Sequence, residues 1–139
     1  TTFSGARNAP ELPVIALGEE TYVGHRVVFR AGRDIRLGRN CFVASYVTFS
    51  GDPGHPLDPV ARRSEAAPPE DLTSITVGDD VWIGEGALLM GPLTIGSGAV
   101  IGARSVVTRD VPPGVVVTGI PARVAKKVVD VPPPAARTG

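Results

Sequence analysis

The sequence predicts a parallel β-helix, a coil in which each turn of chain stacks on the turn before it. Three observations lead to this fold class. Aliphatic residues recur every six positions from Val77 to Val111, glycine follows most of them, and the same phase returns upstream between Leu17 and Phe49. A fixed short period is typical of repeat architectures, whose units bury their apolar faces only by stacking on their neighbours.

The repeat also predicts which residues fill the interior. Three hexapeptides make one triangular turn, and stacked turns place equivalent residues in three columns at the strand spacing of about 4.8 Å. The four turns are Leu17/Val23/Phe29, Leu37/Val43/Phe49, Val77/Ile83/Leu89 and Ile95/Ile101/Val107. A second inward position, four residues further on, holds mostly small or β-branched residues, but Leu93 is larger and Arg33 breaks the rule. We expect the coil to run from about Leu17 to Val117.

Two interruptions break the period. Between Phe29 and Leu37 the phase slips by two residues, which a bulged corner around Gly32 would absorb. Residues 51–74 are rich in proline, glycine and charge and have no period, so we expect them to leave the coil as one long loop. Loops of this length in compact domains are usually functional or disordered. The loop contains His55, one of two histidines in the chain.

Composition narrows the functional classes. The 139 residues predict a single domain, and a formal net charge of zero does not suggest a nucleic-acid surface. No apolar run predicts a membrane span and no signal peptide opens the chain, although a segment before Thr1 stays open. The single cysteine, Cys41, excludes an internal disulfide and predicts a reducing, cytoplasmic setting. The Pro-rich residues 131–139 predict an extended or disordered tail.

Three segments of the chain resemble a known enzyme family. They are Gly54-His-Pro-Leu-Asp-Pro in the loop, Ile75-Thr-Val-Gly-Asp-Asp-Val-Trp-Ile-Gly after it, and the tail from Ser105-Val-Val-Thr-Arg-Asp-Val-Pro-Pro to Gly119-Ile-Pro-Ala-Arg-Val. Together they look like the left-handed β-helix acyltransferases of the galactoside and maltose O-acetyltransferase type, over roughly residues 35–128. The resemblance implies a left-handed coil, acetyl-CoA as acyl donor, and a homotrimer with active sites in the clefts between subunits.

The resemblance also implies that His55 is the catalytic base. Acyl transfer from a thioester to a hydroxyl needs a base that is neutral near pH 7 and within reach of the hydroxyl proton. Histidine, with an ordinary pKa of about 6.5, suits this task. We expect His55 to deprotonate an acceptor hydroxyl that attacks acetyl-CoA directly, and a solvated loop histidine is the alternative.

Two observations argue against a covalent intermediate. Cys41 falls at an inward position, where burial would raise the pKa of its thiol and deny access to a substrate. The chain has no Gly-x-Ser-x-Gly elbow that would expose an activated serine. We therefore expect a backbone N–H group, which the sequence does not identify, to stabilise the oxyanion.

The remaining site residues are also implied by the resemblance. Trp82 would lie beside the thioester and the acceptor, although an outward tryptophan is also suited to packing under the loop or against a neighbouring subunit. Coenzyme A needs cations for its phosphates and an exposed backbone edge for its pantetheine arm. The positions that match its contacts in the family are Glu85, Ala103, Thr108, Arg109, Arg123 and Lys126.

The acceptor side departs from the family pattern. Where the sugar acetyltransferases have an asparagine and an aspartate, this chain has Gly24-His25-Arg26 and Ala31-Gly32-Arg33. Galactoside or maltose is therefore not implied as the acceptor. His25 and Arg26 point outward and face either the acceptor cleft or solvent. If Arg33 lines the cleft, we expect an anionic or phosphorylated acceptor.

Several functions stay open on this fold. The leading one is a CoA-dependent O-acetyltransferase that acts on a sugar, a glycan precursor or a similar hydroxyl compound, and N-acetylation of an amino-sugar or xenobiotic acceptor is its nearest alternative. A γ-class carbonic anhydrase would need three histidines on zinc, and the chain has only two. A catalytically silent scaffold would gain no stability from CoA. We expect a short helix or extended segment near residues 122–129 to cap the coil, and we expect no resident metal.

Overall fold

The computed structural model describes residues 1–128, which fold as a parallel β-helix. Its strands are β1 (Thr2–Gly5), β2 (Ile15–Leu17), β3 (Tyr22–Val23), β4 (Val28–Ala31), β5 (Ile35–Leu37), β6 (Phe42–Val43), β7 (Thr48–Ser50), β8 (Ile75–Val77), β9 (Trp82–Ile83), β10 (Leu88–Met90), β11 (Leu93–Ile95), β12 (Val100–Ile101), β13 (Val106–Val107), β14 (Val115–Gly119) and β15 (Ala122–Lys127). Two 3-10 helices, Ala61–Arg63 and Pro69–Asp71, lie between β7 and β8. No helix in residues 1–128 has the length and apolar character needed to cross a membrane.

The strands form three sheets, one on each side of the triangular coil. Sheet A has the order β1-β4-β7-β10-β13, sheet B the order β11-β8-β5-β2, and sheet C the order β15-β14-β12-β9-β6-β3. The chain passes from A to B, from B to C and from C to A in every turn, so the coil has three edges. We call them edge AB, edge BC and edge CA.

The interior columns are those that the repeat predicts. Leu17 pairs with Leu37, Leu37 with Val77, and Val77 with Ile95 along sheet B. The other two columns are Val23, Val43, Ile83 and Ile101 in sheet C, and Phe29, Phe49, Leu89 and Val107 in sheet A. Members of the inner turns are buried, whereas Leu17 is 43% exposed because its strand β2 ends sheet B and no further strand covers it.

The coil begins earlier than the sequence predicts. Strand β1 adds to sheet A, where Phe3 pairs with Phe29 and stacks on it with ring centroids 5.2 Å apart. The predicted start at Leu17 was therefore wrong. The reason is that β1 contains a single large apolar residue and is separated from β2 by a stretch without the six-residue phase.

The phase slip after Phe29 moves Arg33 out of the interior. Ile35 takes the inward position instead, in a column with Ile15, Ile75 and Leu93, while Arg33 is exposed. The bend at Gly32 is tight, since a Cβ atom there would collide with the carbonyl group of Gly51. A glycine at this corner is thus required by close backbone approach.

A hairpin caps the C-terminal end of the described coil. Strand β15 runs antiparallel to β14, and the turn between them uses Gly119 at a φ of +102°. The strand covers backbone groups of β14 that would otherwise form an open sheet edge. Of the two predicted forms of the cap, the extended one is right and the helix is wrong. The Pro-rich tail at 131–139 lies outside the described residues.

Candidate functional site

The predicted loop leaves the coil at edge AB, between β7 and β8, and comprises residues 51–74. The loop has an outgoing limb, which begins at Gly51 and contains His55, and a return limb, which ends at Ser74. The two limbs meet at the base of the loop, where the N–H group of Thr73 donates to the carbonyl oxygen of Gly51 at 2.8 Å. Leu72 and Ala67 on the return limb are 3% and 2% exposed. Burial of these two side chains anchors the loop on the coil, since apolar contacts of this kind resist local opening.

His55 lies on the outgoing limb with its ring exposed. Its Nδ1 atom is 3.4 Å from the carbonyl oxygen of Glu65 on the return limb. Gly54 precedes it at a φ of +87°, and the Gly54 carbonyl accepts a hydrogen bond from the N–H group of Ala67 at 3.1 Å. A histidine whose Nδ1–H donates to a carbonyl has Nε2 available as a proton acceptor. The local geometry thus suits a general base.

Two of the residues predicted to contact coenzyme A lie on the same edge as His55. Thr108 and Arg109 follow β13 and precede Val111, which bridges to Ile95 of sheet B. Both side chains are exposed. Edge AB therefore presents His55 together with a hydroxyl and a cation.

Arg33 also lies at edge AB, but its side chain is directed at the loop. Its Nε atom donates to the carbonyl oxygen of Leu72 at 3.0 Å, and its Nη2 atom donates to that of Pro69 at 3.3 Å. The hypothesis that Arg33 reaches an acceptor cleft finds no support in these contacts, because the guanidinium is engaged by the loop backbone.

A second group of predicted residues meets at edge CA. A cavity of about 600 Å³ opens there, which we call the edge cavity, and its lining includes His25, Arg26 and Glu85. Its other polar and aromatic lining residues are Thr1, Tyr22, Ser45 and Tyr46. The predicted residue Ala103 is exposed on the same edge, where the N–H group of the next residue, Arg104, donates to the carbonyl oxygen of Glu85 at 2.8 Å.

The sequence analysis did not identify Ser45, Tyr46 or Arg104. Arg26, Tyr46 and Arg104 share a left-handed backbone, with φ values of 52°, 63° and 56°. Gly86 holds the equivalent position in the third turn, at a φ of +70°. Each of these residues is the third after a member of the sheet C column, so the repeat phase carried the signal that would have placed them at one corner.

Trp82 lies on the outward face of sheet C and is 55% exposed. It pairs with Phe42, which pairs with Tyr22, and the Tyr22 and Phe42 rings stack with centroids 4.8 Å apart. The outward position is the predicted one. This aromatic ladder, formed by Tyr22, Phe42 and Trp82, extends from the edge cavity along the outside of the sheet.

Arg123 and Lys126 lie on the capping strand β15 at the C-terminal end of sheet C. Both side chains are exposed, and Arg123 Nη1 donates to the neighbouring carbonyl oxygen of Ala122 at 2.9 Å. Neither residue has a salt-bridge partner among residues 1–128. These cations are therefore accessible to an anionic ligand.

The predicted site residues thus form two groups on two edges of one chain. The first group, at edge AB, contains His55, Thr108 and Arg109. The second, at edge CA and on sheet C, contains His25, Arg26, Trp82, Glu85, Ala103, Arg123 and Lys126. Sheet A separates the two edges, so a single copy of the described chain does not bring the histidine to the edge cavity.

Cys41 is a core residue, as predicted. It is 1% exposed, and its Sγ atom lies 3.1 Å from the carbonyl oxygen of Gly78. Desolvation by burial raises the pKa of the thiol above its ordinary value of 9.0. Within residues 1–128, no three side chains of His, Cys, Asp or Glu come together as a metal ion would require.

Comparisons with known proteins agree on one family. The sequence model described as bacterial transferase hexapeptide (six repeats) matches residues 74–109. The chain is 34% identical to galactoside O-acetyltransferase of Escherichia coli K12 over 135 residues, which cover 82% of this chain and 64% of that protein. The chain spans between about half and two thirds of the length of these and other curated relatives that it matches.

Comparison with solved structures identifies the same family. A maltose O-acetyltransferase from Clostridium difficile 630 superposes with a TM-score of 0.64 at 31% identity, covering 84% of this chain and 68% of that one. A hexapeptide-repeat-containing acetyltransferase from Vibrio cholerae, complexed with acetyl coenzyme A, has a TM-score of 0.73 at 29% identity, with 92% and 72% of the two chains covered.

Proposed function

Because the chain belongs to the hexapeptide-repeat acetyltransferase family and has its left-handed parallel β-helix, we propose that it transfers an acetyl group from acetyl-CoA to a hydroxyl of a sugar, a glycan precursor or a similar small molecule. The observation that carries this proposal is the position of His55. It stands exposed on the anchored loop with Nδ1 facing the Glu65 carbonyl. The O-acetyltransferases among the relatives favour a hydroxyl acceptor.

The proposed reaction is a single displacement. Nε2 of His55 takes the proton of the acceptor hydroxyl as the oxygen attacks the thioester carbonyl carbon. The tetrahedral intermediate collapses by breaking the carbon–sulfur bond, and the departing thiolate takes the proton from the His55 imidazolium. Burial of Cys41 supports a route without an acyl-enzyme, since a thiol inaccessible to substrate cannot carry the acetyl group.

The donor is proposed to lie along the exposed residues that match the family's coenzyme A contacts. Thr108 and Arg109 offer a hydroxyl and a cation at edge AB, and Arg123 and Lys126 offer cations on β15. Phosphates bind best to cations that are not already paired. The Vibrio cholerae structure, which contains acetyl coenzyme A, supports this choice of donor.

A complete site is proposed to need two copies of the chain. His55 and Thr108 lie on edge AB, whereas Glu85 and Ala103 lie at edge CA. A donor that touches both groups must therefore bridge neighbouring subunits, which supports the trimer with sites between subunits. The half-exposed aromatic ladder on sheet C would lose solvent contact on such association.

The proposed acceptor is a small hydroxyl compound. The edge cavity has a polar lining with His25, Arg26 and Glu85, and we propose that the acceptor occupies it. N-acetylation of an amino-sugar or a xenobiotic amine is the nearest alternative, and a silent scaffold is the other. The cytoplasmic setting stays a prediction from the single cysteine.

Stabilisation by ligands tests the donor half of the proposal. Thermal unfolding of the purified protein is followed with acetyl-CoA, with free CoA and without ligand. A ligand that binds only the native state at about 100 times its Kd raises the free energy of unfolding by about 2.7 kcal/mol. A higher melting temperature with either ligand supports the transferase. An unchanged melting temperature at millimolar ligand would favour the scaffold.

A further inference from the structure

Arg33 lies at the corner where the six-residue period of the coil is interrupted, and it binds the return limb of the loop of residues 51–74. Its Nε and Nη2 atoms donate to the carbonyl oxygens of Leu72 and Pro69 at 3.0 and 3.3 Å. Its backbone N–H donates to the carbonyl oxygen of Thr73 at 3.0 Å. One residue of the coil thus accounts for three hydrogen bonds to the loop.

The two side-chain acceptors lie at the second 3-10 helix, Pro69–Asp71. The Leu72 carbonyl follows the end of this helix, and the Pro69 carbonyl also receives the N–H group of Leu72 at 3.3 Å. The planar guanidinium can donate to two acceptors at once, whereas a lysine ammonium on a flexible stem has no such fork.

The return limb of the loop contacts the segment that contains His55. From Pro69 the chain runs back to Ala67, whose N–H group donates to the carbonyl oxygen of Gly54 at 3.1 Å, and to Glu65, whose carbonyl lies 3.4 Å from His55 Nδ1. Both acceptor and donor groups that position the histidine therefore belong to the limb that Arg33 holds. The His55 ring is exposed, so packing contributes little to its position.

We propose that Arg33 is a positioning residue, which keeps the loop and therefore His55 in the orientation that proton transfer requires. The inference rests on the proposed role of His55 as the base. A misplacement of a reacting group by about 1 Å can cost on the order of a hundredfold in rate. Loss of the two side-chain hydrogen bonds loosens the limb without removing its buried anchors Ala67 and Leu72, so a smaller loss of about tenfold in kcat is expected.

The variants separate the guanidinium fork from its charge and its apolar stem. Arg33→Met keeps the stem and removes both hydrogen bonds, and Arg33→Lys keeps the charge but not the fork. Arg36→Met is the matched control, because Arg36 is an exposed arginine on β5 whose side chain pairs with Asp34 and not with the loop. Far-ultraviolet circular dichroism checks that each variant retains the β-helix.

The first readout is limited trypsin cleavage at Arg62 and Arg63, which lie in the first 3-10 helix of the loop. It does not depend on enzyme activity. The second readout is the steady-state rate, with kcat separated from KM for acetyl-CoA. For Arg33→Met we expect about tenfold faster cleavage, about tenfold lower kcat and a KM within about twofold of the parent, since the donor site is retained. For Arg33→Lys we also expect faster cleavage and a lower kcat than in the parent. For Arg36→Met we expect the cleavage rate and kcat of the parent.

Each contrary result has a distinct meaning. Unchanged cleavage in Arg33→Met would show that Arg33 does not hold the loop and would overturn the proposal. Faster cleavage with an unchanged kcat would overturn the positioning role. Full activity of His55→Ala would instead remove the base from the proposed function, and the positioning role would be withdrawn with it, whatever the cleavage rates show.

Discussion

Phe29 and Phe49 lie one above the other in the interior column of sheet A, with ring centroids 4.6 Å apart and an interplanar angle of 4°. Both rings are fully buried, and Phe3 stacks on the outer side of Phe29. The stack joins consecutive turns of the coil, and Phe49 lies on β7, the strand after which the loop of residues 51–74 begins.

Truncating this stack should cost far more stability than truncating an exposed ring. For Phe49→Ala we expect the free energy of unfolding to fall by about 3–5 kcal/mol, because a large buried side chain leaves a cavity. For Phe42→Ala, whose ring is 53% exposed and stacks on Tyr22, we expect a loss of about 1 kcal/mol. Guanidinium chloride unfolding at one fixed protein concentration measures both. Equal losses would contradict the assignment of the core.

The thiol of Cys41 should be unreactive in the folded protein. Burial raises its pKa, so the native state keeps the proton at a pH at which the unfolded chain releases it. The unfolded state then binds fewer protons than the native state, so the free energy of unfolding falls as the pH rises from the ordinary pKa of the thiol towards its raised pKa in the folded protein. Labelling with a thiol reagent at pH 8 should be slow in buffer and fast in denaturant. Rapid labelling of the native protein would show that Cys41 is accessible.

Charge reversal should weaken the donor site selectively. For Arg109→Glu and Arg123→Glu we expect KM for acetyl-CoA to rise about tenfold with a small change in kcat, because phosphate contacts contribute binding in the ground state and the transition state alike. Arg7→Glu, an exposed change near the N-terminus, is the control for net charge. Steady-state kinetics with varied acetyl-CoA measures the effect. If all three variants behave like the parent, these cations are merely solvated.

Mixed assemblies should reveal whether a site is shared between copies. We expect His55→Ala and Trp82→Ala each to be impaired, since the first removes the base and the second an aromatic ring at the proposed cleft. When the two variants are unfolded together and refolded, some subunit pairs combine an intact His55 with an intact Trp82 from the neighbour. Activity of the mixture above that of either variant is the expected result. A mixture no more active than its components would place the whole site within one subunit.

The interior of the coil was predictable because the six-residue period encodes it directly. Ile83 and Ile101, which are three hexapeptides apart, could be assigned to one column from spacing alone, and the loop was bounded by the loss of that spacing. Strand β1 was not predictable, since Phe3 has no repeat around it. The hairpin strand β15 was predicted only as one of two forms, because backbone pairing with β14 decides the conformation.

Site residues could be predicted only where a sequence motif identifies them. His55 was identified from its place in the loop and from its neighbours in sequence, and its role as the base stays a prediction. The contacts of Arg33 were not predictable, because its partners Pro69 and Leu72 lie far away in sequence and are backbone carbonyls without a residue signature. Tyr46 was not identified, although its position three residues after Val43 in the repeat assigns it to the same corner as Arg26.

Acetyl transfer by the parent protein and by His55→Ala tests the central claim most directly. Release of the CoA thiol from acetyl-CoA is followed with a panel of sugar and small hydroxyl acceptors, and Leu57→Ala, an exposed change in the same loop, is the control. We expect acceptor-dependent release by the parent and by Leu57→Ala, and a loss of at least about a hundredfold in His55→Ala with an unchanged melting temperature. Activity of His55→Ala within about threefold of the parent would contradict the claim.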